Sequence, residues 1–152
     1  MQTTTHSLEE FSSEARRIAS GLKASPDHAT IVALSGDLGA GKTTFVQQVA
    51  AYFGIPESVT SPTFVIEKVY QLPNVGHPMS YTGLKLLIHI DAYRLKSSHD
   101  LKILGWPELI AEPSNLILIE WPERVAEAIP PQAIRISIEH IDAETRGITI
   151  VQ

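Results

Sequence analysis

The sequence predicts an α/β fold in which helices flank a mixed central β-sheet to make three layers. Three observations predict it. The apolar run Ala29 to Leu34 reads as a buried strand, and Lys42 to Phe53 reads as a helix. Between them, Gly36-Asp37-Leu38-Gly39-Ala40-Gly41-Lys42-Thr43 is a complete G-x-x-x-x-G-K-[ST] phosphate loop in the strand–loop–helix context that the motif needs. Downstream, a hairpin, short helices and further apolar or alternating runs suit a sheet with parallel and antiparallel strands.

Each element follows from its residues. Thr3 to His6 is β-branched and polar, a short edge strand. Ser7-Leu8-Glu9-Glu10 is a capping box, and Phe11, Ala15, Ile18, Ala19 and Leu22 then repeat at helical spacing. Gly21 lies near the end of that helix and Pro26-Asp27 makes a turn. Gly54-Ile55-Pro56 ends the helix after the phosphate loop. Ser61-Pro62-Thr63 interrupts the chain before a strand over Phe64 to Tyr70. Gln71 to Gly83, with Pro73, Asn74, Gly76 and Pro78, reads as an exposed hairpin tip, and Leu84 to Ile90 returns as a strand. Ser97 to Leu104 and Pro107 to Ala111 are short helices. Asn115 to Glu120 is a strongly apolar strand ending on an acid, and Pro122 suits the first position of a short helix through Ala128. Ile134, Ile136 and Ile138 alternate with Arg135, Ser137 and Glu139; Asp142 to Arg146 turns the chain into a last strand over Gly147 to Val151.

Composition narrows the function classes. A chain of 152 residues is predicted to form one domain, residues 1–152, with a full core. Its formal net charge is −5 and it holds no run of Lys or Arg, which disfavours tight, direct binding of nucleic acid. The absence of cysteine excludes disulfides, thiol catalysis and zinc–thiolate sites, and suits a reducing compartment. Met1 to His6 lacks the basic and apolar regions of a signal peptide, and no apolar stretch approaches the length that spans a membrane.

The chemistry starts at the loop. Its glycines allow a tight turn with successive N–H groups pointing inward, and the helix that follows presents free N–H groups to an anion. Lys42 would place a charge on the β- and γ-phosphates of a nucleotide, and the Thr43 hydroxyl would ligate Mg²⁺. Phosphoryl chemistry also asks for an acid at the end of a neighbouring strand. Glu120, after Leu116-Ile117-Leu118-Ile119, is one candidate, and a solvated strand end is the alternative. Asp91, after Leu86-Leu87-Ile88-His89-Ile90, is the other; an extended chain turns His89, Asp91 and Tyr93 to one face, while an N-capping Asp91 beside a structural His89 is the alternative. Ser61-Pro62-Thr63 sits where many nucleotide hydrolases carry a loop that senses the γ-phosphate, and equally suits a plain strand-entry turn. Trp106 and Trp121 each precede a proline; either can pack on a partner or a base, while the edge of a core is the default place for tryptophan. Arg94 can reach a phosphate or pair with a surface acid.

Taken in order, GDLGAGKT, SPTF, HIDAYRL and LIEWPE resemble the bacterial TsaE (YjeE) family over most of the chain. The resemblance implies a P-loop NTPase-like fold and a small ATPase needed for the threonylcarbamoyl modification of adenosine at position 37 of tRNA. It implies ATP and Mg²⁺ as cofactors, with Gly36, Asp37, Leu38, Gly39, Ala40, Gly41, Lys42, Thr43 and Thr44 along the phosphates. The H-x-D-x-Y-R motif falls on His89, Asp91, Tyr93 and Arg94, the E-W motif on Glu120 and Trp121, and the switch-like loop on Ser61, Pro62 and Thr63, with Thr63 beside the nucleotide. It further implies the protein partners TsaD and TsaB, contact with tRNA only through that complex, and a cytoplasmic setting without membrane contact. The stretch Gln71 to Gly83 is longer than the family's usual hairpin.

The expected catalytic set is Lys42, Asp91 and Glu120, with Thr43 and Glu120 at the metal and Asp91 on the attacking water; the reverse assignment of the two acids stays open. With no evident arginine finger, hydrolysis by the chain alone is expected to be slow. A small-molecule or nucleoside kinase is the rival chemistry, and it needs an acceptor site and an arginine-bearing lid that the sequence does not display. A nucleotide-dependent binding module that barely hydrolyses is the other alternative.

Overall fold

The structure, a computed structural model, describes residues 1–60, 66–73 and 82–151. The strands are β1 (Gln2–Thr5), β2 (Thr30–Ser35), β3 (Glu67–Gln71), β4 (Leu86–Asp91), β5 (Asn115–Glu120), β6 (Ile134–His140) and β7 (Arg146–Val151). The helices are α1 (Leu8–Ala19), α2 (Lys42–Tyr52), α3 (Ser98–Ile103) and α4 (Trp106–Ala111), with a 3-10 segment over Pro122–Ala128. Among the described residues, these seven strands share one sheet in the order β1-β7-β6-β2-β5-β4-β3. The four central strands run parallel, and β1, β7 and β3 add antiparallel edges.

The sheet is covered on both faces, which is why its central strands read as continuous apolar runs. On one face Val32, Leu34, Leu116, Leu118, Ile136 and Ile138 pack under α1 and α2 with Phe11, Phe45 and Phe53. On the other, Ile31, Ala33, Ile88, Ile90, Ile117 and Ile119 meet Leu101 of α3, Trp106 of α4 and Val125. Phe11 and Phe45 meet edge to face with centroids 6.4 Å apart, tying α1 to α2.

Local chemistry explains most boundaries. Ser7 caps α1 by accepting the Glu10 N–H at 3.1 Å. Glu10 returns its carboxylate one residue further out than a capping box expects, to the His6 N–H at 2.7 Å. The short helix expected from Pro122 through Ala128 is present as a 3-10 segment, interrupted by non-helical Val125 at φ −134°. The kink coincides with burial of the valine side chain in the second core face. β4 begins at Leu86 rather than Leu84, although Leu84 is still buried in the first core face. Ser61, Pro62, Thr63 and the strand start at Phe64 lie outside the described residues, as does 74–81 of the expected hairpin tip.

What matters for function is direction. Because β2, β5 and β4 are parallel neighbours, their carboxyl ends open on one edge of the sheet. The register sets Leu34 against Glu120 and Asp91 against Glu120. Among the described residues, no helix is long and apolar enough to cross a membrane.

Candidate functional site

The phosphate loop leaves β2 at Gly36, and steric room dictates that residue. A Cβ there would lie 2.5 Å from the Ile138 carbonyl oxygen of β6. Gly41, at φ 117°, begins α2 without a side-chain cap, so the first turn of the helix keeps its N–H groups for another acceptor. A Cβ at Gly41 would also press on the Phe11 ring, 3.3 Å from Cζ.

Lys42 is buried at the start of α2. Its ammonium donates to the Gly36 carbonyl and, at 3.0 Å, to that of Asp37, and it lies 4.2 Å from the ring centroid of Trp121. Burial pushes its pKa below the usual lysine range, while the negative charges of Glu120, Glu123, Asp91 and Asp37 act in the opposite sense. Thr43, next on the helix, directs its hydroxyl between the two carboxylate oxygens of Glu120, at 3.4 and 3.5 Å.

Glu120 closes β5 and is itself buried. One of its oxygens lies 2.5 Å from His89 Nε2 of β4. We assign the Nε2–H tautomer from that contact, because Nδ1 is buried without a partner and an orphaned acceptor costs less there than an orphaned N–H. Asp91 is buried two residues further along β4; its Oδ1 accepts the Tyr93 N–H at 3.0 Å, and its own N–H donates to the Ile66 carbonyl at 2.8 Å. Asp91 therefore closes a local turn rather than capping a helix, since the next helix begins at Ser98, and it also lies near the loop. Trp121 follows Glu120 in the left-handed region, at φ 60° and ψ 49°. For so bulky a residue that conformation costs about 1–3 kcal/mol. It turns the indole away from the strand to lie over Lys42, with the Tyr93 ring 4.9 Å beyond and the Arg124 guanidinium 5.1 Å over Tyr93.

These groups border one cavity of about 250 Å³. Leu38, Gly39, Gly41, Lys42, Thr43 and Thr44 enter it from the loop and α2, and Asp91, Glu120 and Trp121 face them from the strand ends. Gly36 and Asp37 lie behind, holding the lysine, and Ala40 is buried on the opposite side of the loop. Thr63 lies outside the described residues. Sequence reasoning did not find the His89–Glu120 bond or the seat of Lys42 against Trp121. The shared face of His89 and Asp91 hints at the first; nothing local announces the second.

A hydroxyl and a carboxylate are hard oxygen donors of the kind Mg²⁺ takes. Among the described residues no group of three or more His, Cys, Asp or Glu side chains is placed to hold a metal alone.

Fold and site together define a P-loop NTPase-like α/β protein. Residues 5–148 match the family described as Threonylcarbamoyl adenosine biosynthesis protein TsaE. The tRNA threonylcarbamoyladenosine biosynthesis protein TsaE of Rickettsia conorii is 36% identical over 149 residues, covering 97% of this chain and 76% of the relative. That of Bacillus subtilis is 34% identical over 119 residues, 78% of this chain and 67% of the relative. The crystal structure of Bacillus subtilis YdiB superimposes with a TM-score of 0.72 at 30% identity, covering 99% of this chain and 83% of the other. The chain belongs to the TsaE family, which serves threonylcarbamoyladenosine biosynthesis in tRNA.

Proposed function

We propose that the protein binds ATP with Mg²⁺ and hydrolyses it slowly, in one domain, as the ATPase of tRNA threonylcarbamoyladenosine synthesis. It would work in the cytoplasm with TsaD and TsaB and meet tRNA only through them. The observation that carries this reading is the convergence of Lys42, Thr43, Asp91 and Glu120 on a single cavity at the N-terminus of α2.

Each residue has a task there. The N–H groups of Gly39 to Thr44 would cradle the phosphates. Lys42 would exchange its carbonyl partners for β- and γ-phosphate oxygens, a short shift for a flexible stem. Thr43 and Glu120 would hold Mg²⁺, which when bound neutralises charge building on the phosphates. Asp91, on the adjacent strand end, would orient water for attack. Trp121 and Tyr93 wall off that side of the site and keep Lys42 desolvated. Arg124 lies over Tyr93, so no arginine among these groups reaches across the loop, in keeping with slow turnover until a partner adds charge.

Calorimetry of the full chain with ATP and MgCl₂, followed by phosphate release, tests the reading. Asp91→Ala should retain nucleotide affinity within a few-fold while phosphate release falls by about 100-fold or more, the scale typical of a positioned acid–base group. Failure of the wild type to take up ATP or ADP would refute the proposal, and phosphate delivered to a small acceptor would favour a kinase.

The Lys42 shift makes a second expectation. Phosphate favours the charged ammonium, so binding should raise a pKa that burial holds down in the free protein. ATP affinity should stay level at pH values below the free-protein pKa and decline as pH rises through it. That decline should begin at less alkaline pH than an unperturbed lysine would give, which titrations from neutral to alkaline pH would show.

A further inference from the structure

Strand β4 carries one polar residue ahead of its terminal acid: His89, in the run Leu86-Leu87-Ile88-His89-Ile90-Asp91. Its side chain is fully buried, and the register sets it between Leu118 of β5 and Lys68 of β3. An imidazole withdrawn from water costs free energy unless it is hydrogen-bonded, and an aliphatic side chain would fill the same place without that cost. Among the described residues Nδ1 has no partner, so the compensation rests on one contact, from Nε2–H to the Glu120 carboxylate at 2.5 Å.

That contact decides how Glu120 points. Strand pairing fixes the main chain of Glu120 against Leu34 on one side and Asp91 on the other, but leaves the side-chain torsions open. Thr43 cannot set them alone: its hydroxyl lies 3.4 and 3.5 Å from the two carboxylate oxygens, at the outer limit of hydrogen bonding. The contact to His89 is far shorter, as strong bonds to a carboxylate are. It engages Oε2 and leaves Oε1 to Thr43, on a residue that lines the phosphate-loop cavity.

We infer that His89 is the positioning residue of the site: its Nε2–H holds Oε2 of Glu120 and thereby turns Oε1 toward the metal ion beside Thr43. The inference rests on the ATP–Mg²⁺ reading above and adds what aims the acid. His89 touches neither nucleotide nor ion in this role; it acts through Glu120. Its place suits the task, because β4 is paired on both sides and a buried donor on such a strand has little room to drift. A metal ligand already held by a second hydrogen bond loses less freedom when it meets the ion.

The test separates the donor from the space it fills. His89→Leu keeps an apolar side chain of similar bulk and removes the donor; His89→Gln puts an amide N–H in its place. ATP is titrated calorimetrically into the wild type and both variants at several Mg²⁺ concentrations, and again with EDTA in place of the metal. His89→Leu should weaken the Mg²⁺ dependence of ATP binding by about 10-fold or more, the scale for loss of a group that supports a metal ligand. Affinity in EDTA should stay close to that of the wild type, and His89→Gln should recover the Mg²⁺ dependence to within a few-fold. In a Glu120→Gln background, His89→Leu should change that dependence by less than about twofold, since the charge it aims is already gone. A His89 that only fills the core would add the same effect in both backgrounds. One measurement leaves the core unaltered: ring ¹⁵N shifts of the ligand-free wild type should show a protonated Nε2 and a bare Nδ1, with the Nε2–H signal moved by Mg-ATP and much less by ATP in EDTA. Wild-type Mg²⁺ dependence in a folded His89→Leu chain, equal losses with and without Mg²⁺, or a ring protonated on Nδ1 in place of Nε2 would overturn the inference while leaving the ATP reading intact. A wild type that takes up no ATP under either condition would overturn the ATP reading, and this inference with it.

Discussion

Lys42→Ala should lower affinity for ATP–Mg²⁺ by roughly two to four orders of magnitude, since it removes about two charge-assisted hydrogen bonds of ~1.5–3 kcal/mol each. Two other cations of the described residues are committed elsewhere: Arg124 lies over Tyr93, and Arg146 is engaged behind the loop. The free protein also loses a tether. Lys42 bridges the carbonyls of Gly36 and Asp37, and alanine leaves those acceptors to solvent at the loop's own entrance. Some loss of thermal stability should therefore accompany the loss of binding, and melting curves with and without nucleotide separate the two. With ligand, the wild type should melt higher and the variant should not move. In a host depleted of its native protein, the variant should fail to restore tRNA modification. Normal modification with a folded Lys42→Ala chain would end the enzyme interpretation.

Glu120 carries the second large effect, and two substitutions divide it into charge and support. Glu120→Gln keeps an oxygen to accept the His89 Nε2–H but removes the negative charge. The fold should hold, while the Mg²⁺ dependence of ATP binding weakens by about 10–100-fold, the range typical when a group supporting a metal is lost. Glu120→Ala should lose the same metal dependence and also leave the His89 N–H buried with no acceptor, at about 1–3 kcal/mol. For a chain of this length each kcal/mol lowers the melting temperature by roughly 2–4 °C. Calorimetry at several Mg²⁺ concentrations, with melting of both variants, reads the two effects apart. A glutamine variant with wild-type Mg²⁺ dependence would move the metal role to Asp91.

Much of the architecture was legible because it is local. The apolar runs at 29–34 and 115–120, the cap at Ser7 and the alternation at Ile134, Ile136 and Ile138 each depend on neighbours a few residues away. The detailed geometry of some elements was set by the core. The expected short helix after Pro122 is present, but as a 3-10 segment in which Val125, buried in the core, leaves helical geometry. The roles of Asp91 and Glu120 were not separable either. Both end apolar strands, and what differs is their surroundings: a histidine and a threonine beside Glu120, a backbone turn at Asp91.

By itself, then, the sequence determined the phosphate loop, the elements on either side of it and the two acids worth testing. A loop of this kind is specified by contiguous glycines, a lysine and a hydroxyl, whose backbone requirements travel with the segment. Only the tertiary structure decided that β4, β2 and β5 lie side by side and parallel, so that Asp91, Glu120 and Lys42 border one space. It also decided the left-handed turn that lays Trp121 over Lys42, and the reach of Arg146 to a carbonyl 106 positions earlier in the chain. The physical reason is that parallel pairing and such long-range contacts join segments far apart in sequence, and their geometry is set by the packing of the whole sheet rather than by any residue's own preference.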